Sequence, residues 1–298
     1  QNLSTTYCSL QYNFLVMSGR FHGKVTIITG SSSGIGKETA LLFAKEGAKV
    51  TVTGRNLERL EALKQKLLDL NILQSNFLVV PADITTSSGQ DELIGKTLEK
   101  FGRLDILVNN AGASIRDSEG RTGVSMGIDS YEKTMKINVQ SVIEMTQKSR
   151  PHLAKAHGAI VNVSSIVALK AGWTVLAYYP MAKAAIDQYT RTAAIDLIGE
   201  GIRVNAVNPG FIKTGFHESE LGWTPEEAKK FYQNMGANRS AIPCGFAGRP
   251  EHIAEAIAFL ADHKTSEFIV GQNIVVDGGT TMVLGVHAGV NDSLVRTE

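Results

Sequence analysis

From Lys24 onward the chain switches repeatedly between short β-branched runs and longer stretches with apolar residues at helical spacing. That rhythm leaves few folds open. A strand, a covering helix and a second strand parallel to the first form one unit, and successive units collect into a parallel sheet with helices on both faces. Strands are expected at 24–30, 48–54, 76–83, 104–112, 158–165, 202–210 and 271–279, and helices at 36–47, 56–70, 88–101, 129–149, 179–199 and 250–262. The expected fold is therefore α/β, a doubly wound sandwich on a seven-stranded parallel sheet, forming a single domain over 17–298. One excursion, 211–249, interrupts the alternation with a short helix of its own, "TPEEAKKFYQNMG", which Thr224 caps and Pro225 opens. Long departures from a regular scaffold tend to cover a site. Residues 1–16 lack the basic start and apolar centre of a secretory leader, and are expected to be a disordered extension ahead of a start at Met17.

Composition excludes several classes of function. A net charge of +1 gives no reason to expect nucleic acid or an anionic membrane as partner. Cys8 and Cys244 fall in no CxxC or Cys/His pattern, and the histidines show no ligand spacing, so two plain thiols and no metal are expected. No run reaches the roughly 18–20 apolar residues that span a bilayer. A cytoplasmic protein is expected.

The first strand runs into "TGSSSGIGKE", residues 29–38, which places Gly30, Gly34 and Gly36 around the first strand-to-helix turn. Glycine lets backbone turn sharply and approach a pyrophosphate, and the helix N-terminus offers free N–H groups and a positive dipole end. Ser32 and Ser33 can add hydroxyl donors, and Ile35 follows within the same turn. This context, strand before and helix after, is that of a Rossmann-type dinucleotide site. An NAD site would usually carry a carboxylate at the end of the second strand. Here that region reads "VTGRN", and Arg55 suits the 2′-phosphate of NADP(H), with a solvated surface charge as the alternative.

Taken together, "TGSSSGIG" (29–36), "AD" (82–83), "NNAG" (109–112), "IN" (137–138), "NVSS" (162–165), "YPMAK" (179–183), "NPGFIKT" (208–214) and "VDGG" (276–279) resemble the short-chain dehydrogenase/reductase family in its single-domain form. The style of "YYPMAKAAIDQYTR" is similar to that of nematode members of glucose- or tropinone-dehydrogenase type. The resemblance implies an oxidoreductase that moves a hydride between nicotinamide and an alcohol or carbonyl substrate, acting as a homodimer or homotetramer. It implies Asn138, Ser165, Tyr179 and Lys183 as catalytic residues. Ser165 would polarise the substrate oxygen, with Ser164 as its support, and Asn138 would hold a water behind Lys183 unless it is a structural amide. Asp83 would accept from the adenine amino group, with helix capping as a rival role. Asn109, Ala111 and Gly112 would approach the cofactor, and Asn110 would be structural. Pro209, Gly210, Ile212 and Thr214 would read the nicotinamide carboxamide.

Two adjacent tyrosines compete for the proton-donor role. Leaving a phenolate behind at pH 7 costs roughly 4 kcal/mol unless a cation lies close. Tyr179 and Lys183 stand at i and i+4, on one helix face, whereas Tyr178 and Lys183 are turned apart by about 140°. The family's usual serine-to-tyrosine distance is one residue shorter than Ser165 to Tyr179 and points instead to Tyr178. A loop absorbs an extra residue cheaply and a helix cannot, so Tyr179 is the expected acid/base and Tyr178 a packing or substrate-facing aromatic. Pro180 then belongs to the first turn of that helix. Other readings are a retired dinucleotide-binding sensor or scaffold, and a reductase of C=N or C=C bonds. Trp173, Leu176, Phe211, Phe216 and Trp223 suggest an apolar substrate pocket, while "HESE" (217–220) either touches substrate or is a solvated charge run.

Overall fold

Valine, isoleucine and threonine build the sheet. In the computed structural model, which describes residues 19–169, 172 and 174–283, seven strands appear: β1 (Val25–Ile28), β2 (Lys49–Gly54), β3 (Phe77–Pro81), β4 (Ile106–Asn109), β5 (Ala159–Val163), β6 (Arg203–Pro209) and β7 (Asn273–Val276). They pair in parallel in the order β3-β2-β1-β4-β5-β6-β7. Each falls where it was expected, shortened at its ends where the chain leaves the sheet. The extension 1–16, with Cys8, lies outside the described residues, as does Trp173.

Successive strand residues point to opposite faces, so each strand feeds two cores. Ile28, Val50, Val52, Ile106, Val108 and Val161 enter one, and Ile27, Val80, Leu107, Ile160 and Val204 the other. Burial on both faces is why the strands read as unbroken apolar runs. The first core is covered by α1 (Gly34–Lys45), α2 (Leu57–Asp69) and α9 (Pro250–Ala261), and the second by α3 (Ser87–Phe101), α5 (Ser141–Ala156) and α6 (Tyr178–Leu197). Arg203, at the start of β6, is buried, and its guanidinium donates to the carbonyls of Leu260 (2.9 Å), Ala261 (3.4 Å) and Ser266 (3.1 Å). It thereby helps close the carbonyl end of α9, where the Ser266 hydroxyl also donates to the Leu260 carbonyl (3.1 Å).

The helix expected at 129–149 is in fact two. α4 (Ile128–Met135) runs into a π turn, Lys136–Gln140, before α5 begins, and α5 continues through Pro151 to Ala156. Leu153 is buried in the second core, and its packing outweighs the one donor that proline removes.

The excursion folds as α7 (Phe216–Leu221) and α8 (Pro225–Ala237), followed by turns. Thr224 caps α8 as expected: its hydroxyl accepts from the Glu227 N–H (3.2 Å), and the Glu227 carboxylate accepts from the Thr224 N–H (2.7 Å). A small core of Ala228, Tyr232, Ile242 and Ala247 holds the segment together, and a bridge between Ile212 and Gly248 returns it to the main body. A short helix, α10 (His263–Ser266), precedes β7. The order in which strands are added to the sheet reverses between the parallel neighbours β1 and β4, so the crevice for a ligand opens at the carboxyl ends of these strands.

Candidate active site

The glycine turn after β1 is shaped by conformation and by contact. Gly30 (φ +63°) and Gly34 (φ +55°) occupy the left-handed region that side chains avoid. Gly36 is needed for space, because a Cβ there would come within 2.4 Å of Asn110 Nδ2 and 2.6 Å of the Gly30 carbonyl. Asn110 braces the turn by donating to the carbonyls of Thr29 (2.9 Å) and Gly30 (3.1 Å), the structural role expected of it. No side chain caps α1 at Ser33, which leaves its leading N–H groups for another acceptor.

This turn forms one wall of a cavity of about 450 Å³. Gly30, Ser32, Ser33, Gly34 and Ile35 line it, together with Arg55 beyond β2, Asp83 beyond β3, Ala111 and Gly112 beyond β4, and Pro209, Gly210, Ile212 and Thr214 beyond β6. Arg55 is exposed and makes no ion pair among the described residues. Asp83 uses one oxygen to accept from the N–H (2.9 Å) and hydroxyl (2.8 Å) of Thr85, while Thr86 takes the N-cap of α3. Burial pushes the Asp83 carboxyl up, but the Thr85 hydrogen bonds and the charges of Arg55 and Lys136 outweigh it and hold the group below its ordinary range.

Farther along the cavity lie Ser164, Ser165, Tyr179 and Lys183. Tyr179 is in the first turn of α6, where Pro180 removes a donor that has no intrahelical acceptor. Lys183 is one turn on, its Nζ 5.5 Å from the centre of the Tyr179 ring. The ammonium is buried and donates to the Val163 carbonyl (2.8 Å). Burial lowers its pKa to about 8, against the opposing pull of Asp187. Ser164 ties β5 to α6 by donating to the Lys183 carbonyl (3.2 Å). The Ser165 hydroxyl accepts from the Val167 N–H (3.3 Å), and its carbonyl accepts from Asn208 (3.0 Å), which also donates to Asp187 (2.9 Å).

Asn138 sits in the π turn, the local widening that lets its side chain reach inward. Its Nδ2 donates to the carbonyls of Ala113 (2.6 Å) and Thr134 (2.9 Å), and its buried Oδ1 has no partner. A Cβ on Gly112 would lie 2.7 Å from that oxygen and 3.2 Å from Lys183 Nζ, so both polar atoms face the bare backbone of Gly112. An unfilled acceptor beside an ammonium is a place for a bridging hydroxyl or water.

The two tyrosines separate cleanly. Tyr178 packs edge-on against Tyr131 (5.5 Å) and donates its hydroxyl to the Met126 carbonyl (2.7 Å), outside the cavity that Tyr179 lines.

Other expectations need correction. Asn109 does not face the cavity: the strand pleat turns it to the face of Leu107, where it donates to Asn162 (2.9 Å) and meets Thr146 on α5. Phe211 and Phe216 line the cavity, but Leu176 is packed elsewhere and Trp223 stacks within the excursion; Trp173 lies outside the described residues. "HESE" is not simply a solvated run, because His217 is buried and lines the cavity beside Tyr232. Arg59 also lines it and had not been singled out, although the "RNLER" spacing repeats a guanidinium beside Arg55. Cys244 is a free, exposed thiol. Among the described residues no group of side chains could hold a metal ion, and no helix is long and apolar enough to cross a membrane.

Comparison with known proteins agrees with this geometry. A family model described as enoyl-(acyl carrier protein) reductase matches residues 30–281. A 3-oxoacyl-[acyl-carrier-protein] reductase of Thermotoga maritima is 38% identical over 261 residues, 87% of this chain and 98% of that protein. Among solved structures, a short-chain dehydrogenase/reductase of Caenorhabditis elegans with cofactor is 53% identical with a TM-score of 0.89, covering 91% of this chain and 100% of that one. A glucose dehydrogenase of the same organism, in the apo form, is 48% identical with a TM-score of 0.75, covering 89% and 100%. Since fold, matched length and identity agree across nearly all of the described residues, the chain belongs to the short-chain dehydrogenase/reductase family, oxidoreductases that use a nicotinamide dinucleotide.

Proposed function

We propose that the protein is an NADP(H)-dependent oxidoreductase that interconverts an alcohol and a carbonyl compound, with Tyr179 as general acid/base. The observation that carries this reading is a cavity that sets Tyr179 against a buried ammonium at one place and offers an unpaired guanidinium, with no carboxylate, beyond β2. The cavity fits the cofactor on its own terms: bare glycine faces at 30, 34 and 112, an uncapped helix, and an orphaned acceptor at Asn138. When bound there, the nicotinamide supplies hydride in reduction and accepts it in oxidation.

The chain's own residues do the rest. Gly30 to Gly36, with Ser32 and Ser33, hold the pyrophosphate; Arg55, with Arg59, holds the 2′-phosphate; Asp83 accepts from the adenine; and Pro209, Gly210, Ile212 and Thr214 orient the carboxamide. Tyr179 gives its proton to the substrate oxygen as negative charge develops there, and Ser165 donates to the same oxygen. Lys183, its Nζ 5.5 Å from the ring centre, places a positive charge beside the phenolate and so offsets part of the roughly 4 kcal/mol that ionising a free phenol would cost at pH 7. Asn138 Oδ1 holds a water through which Lys183 and Tyr179 recover the proton. Phe211 and Phe216 favour a substrate with an apolar body. Relatives named for a 3-oxoacyl group and for glucose support chemistry at an oxygen-bearing carbon without selecting the substrate.

The test is NADPH consumption over a panel of ketones and aldehydes. Tyr179→Phe should lower turnover at least ~100-fold with NADPH binding retained, and Tyr178→Phe should leave turnover within a few-fold. NADPH binding without turnover in the wild-type protein would instead support a retired binder, and the reverse pattern between the tyrosines would reassign the acid.

A further inference from the structure

One polar pair is set into the aromatic part of the cavity wall. His217 is 7% exposed and borders the cavity, enclosed by the rings of Trp223 (4.9 Å), Phe231 (4.7 Å) and Tyr232 (4.9 Å). Phe216 separates it from Tyr179, with ring centres 5.8 Å from His217 and 5.7 Å from Tyr179. The Nδ1 atom of His217 is 2.7 Å from the Tyr232 hydroxyl. Tyr232 is buried, and a phenol that gives its proton to Nδ1 leaves the imidazole proton on the other ring nitrogen. The imidazole proton then resides on Nε2, which has no hydrogen-bond partner among the described residues. Burial also disfavours the imidazolium, with Glu218 opposing it less strongly. The ring is thus a neutral donor with one N–H uncommitted, and the cavity is its open side.

We propose that His217 Nε2–H binds a second oxygen of the substrate, remote from the reacting carbon, and that the protein selects largely apolar carbonyl compounds carrying such a neutral acceptor. This rests on the reading of the cavity as a carbonyl-reducing site and adds a selection rule to it. A buried donor left unpaired by a plain monoketone costs binding energy that a substrate with a matching acceptor recovers. No charged partner for a substrate is needed at this position.

The test measures binding rather than turnover. Cyclohexanone is compared with cyclohexane-1,4-dione, and 2-decalone with decalin-2,6-dione, by calorimetric titration of the full chain saturated with NADP+. In the wild-type protein the dione of at least one pair should bind about tenfold more tightly than its monoketone. His217→Phe should erase that difference, with the monoketone binding at least as tightly as to the wild type, and His217→Gln, which keeps an N–H donor, should retain most of it. Equal binding within both pairs in the wild type, or a dione preference that survives His217→Phe, overturns the proposal. If the His217→Phe chain does not fold, Tyr232→Phe releases Nδ1 and should weaken the preference severalfold; an unchanged preference there also overturns it. Turnover judges the proposed function separately: an inactive protein with an intact dione preference refutes that function and retains this inference, and an active protein with no preference does the reverse.

Discussion

Replacing Arg55 by aspartate probes the choice between NADPH and NADH. Arg55 and Arg59 are both exposed, both border the cavity, and neither is held in an ion pair among the described residues, so no existing bond has to break before a phosphate is bound. A hydrogen bond to a charged group contributes about 1.5–3 kcal/mol, the lower end applying to a solvated, screened position. Arg55→Ala should therefore weaken NADPH binding about 10- to 100-fold and leave NADH nearly unchanged, since NADH has no 2′-phosphate to lose. Arg55→Asp adds repulsion of the phosphate and an acceptor for the ribose hydroxyl, so the ratio of kcat/KM for NADPH over NADH should fall by about three orders of magnitude. Arg59→Ala should act in the same direction but only severalfold, because Arg59 belongs to the first turns of α2, farther along the chain from the strand end. Steady-state rates with each cofactor, together with Kd values from NAD(P)H fluorescence, measure all of these. A wild-type preference for NADH, or an equal loss of both cofactors in Arg55→Ala, would refute the assignment.

Three further outcomes follow from the geometry. Gly36→Ala brings a Cβ within 2.4 Å of Asn110 Nδ2, and should weaken NADPH binding at least ~10-fold by displacing the turn; unaltered affinity in titration would show that the turn does not hold the cofactor. The unfolded chain keeps the Lys183 proton up to about 10.5 and the folded chain releases it from about 8. Wild-type stability relative to Lys183→Met should therefore rise with pH across that window, by up to about 3 kcal/mol, and urea melts at pH 7 and 9.5 that differ equally would contradict it. Arg203→Lys cannot reproduce the fork that reaches Leu260, Ala261 and Ser266; a loss of about 2–4 kcal/mol is expected from the stranded carbonyls, and an unchanged Tm would mean that water replaces the guanidinium.

Some of this protein is determined locally and some is not. Strand positions follow from β-branched runs buried on both faces, and the glycine turn from conformations that residues 30 and 34 alone among their neighbours must adopt. The Tyr179–Lys183 proximity follows from the pitch of a helix, which is why helical spacing located the cavity-facing tyrosine and counting along a loop did not. Other features depend on partners distant in sequence. The π turn at Asn138, the inward turn of Asn109 toward Thr146, the anchoring of Tyr178 on Met126 and the burial of His217 against Tyr232 all come from contacts that packing alone creates. Periodicity and turn chemistry act between residues a few positions apart and are written along the chain. The neighbours of a side chain across a cavity are set by how helices and excursions pack on the sheet, a free-energy balance spread over the whole fold, and no short stretch of sequence encodes it.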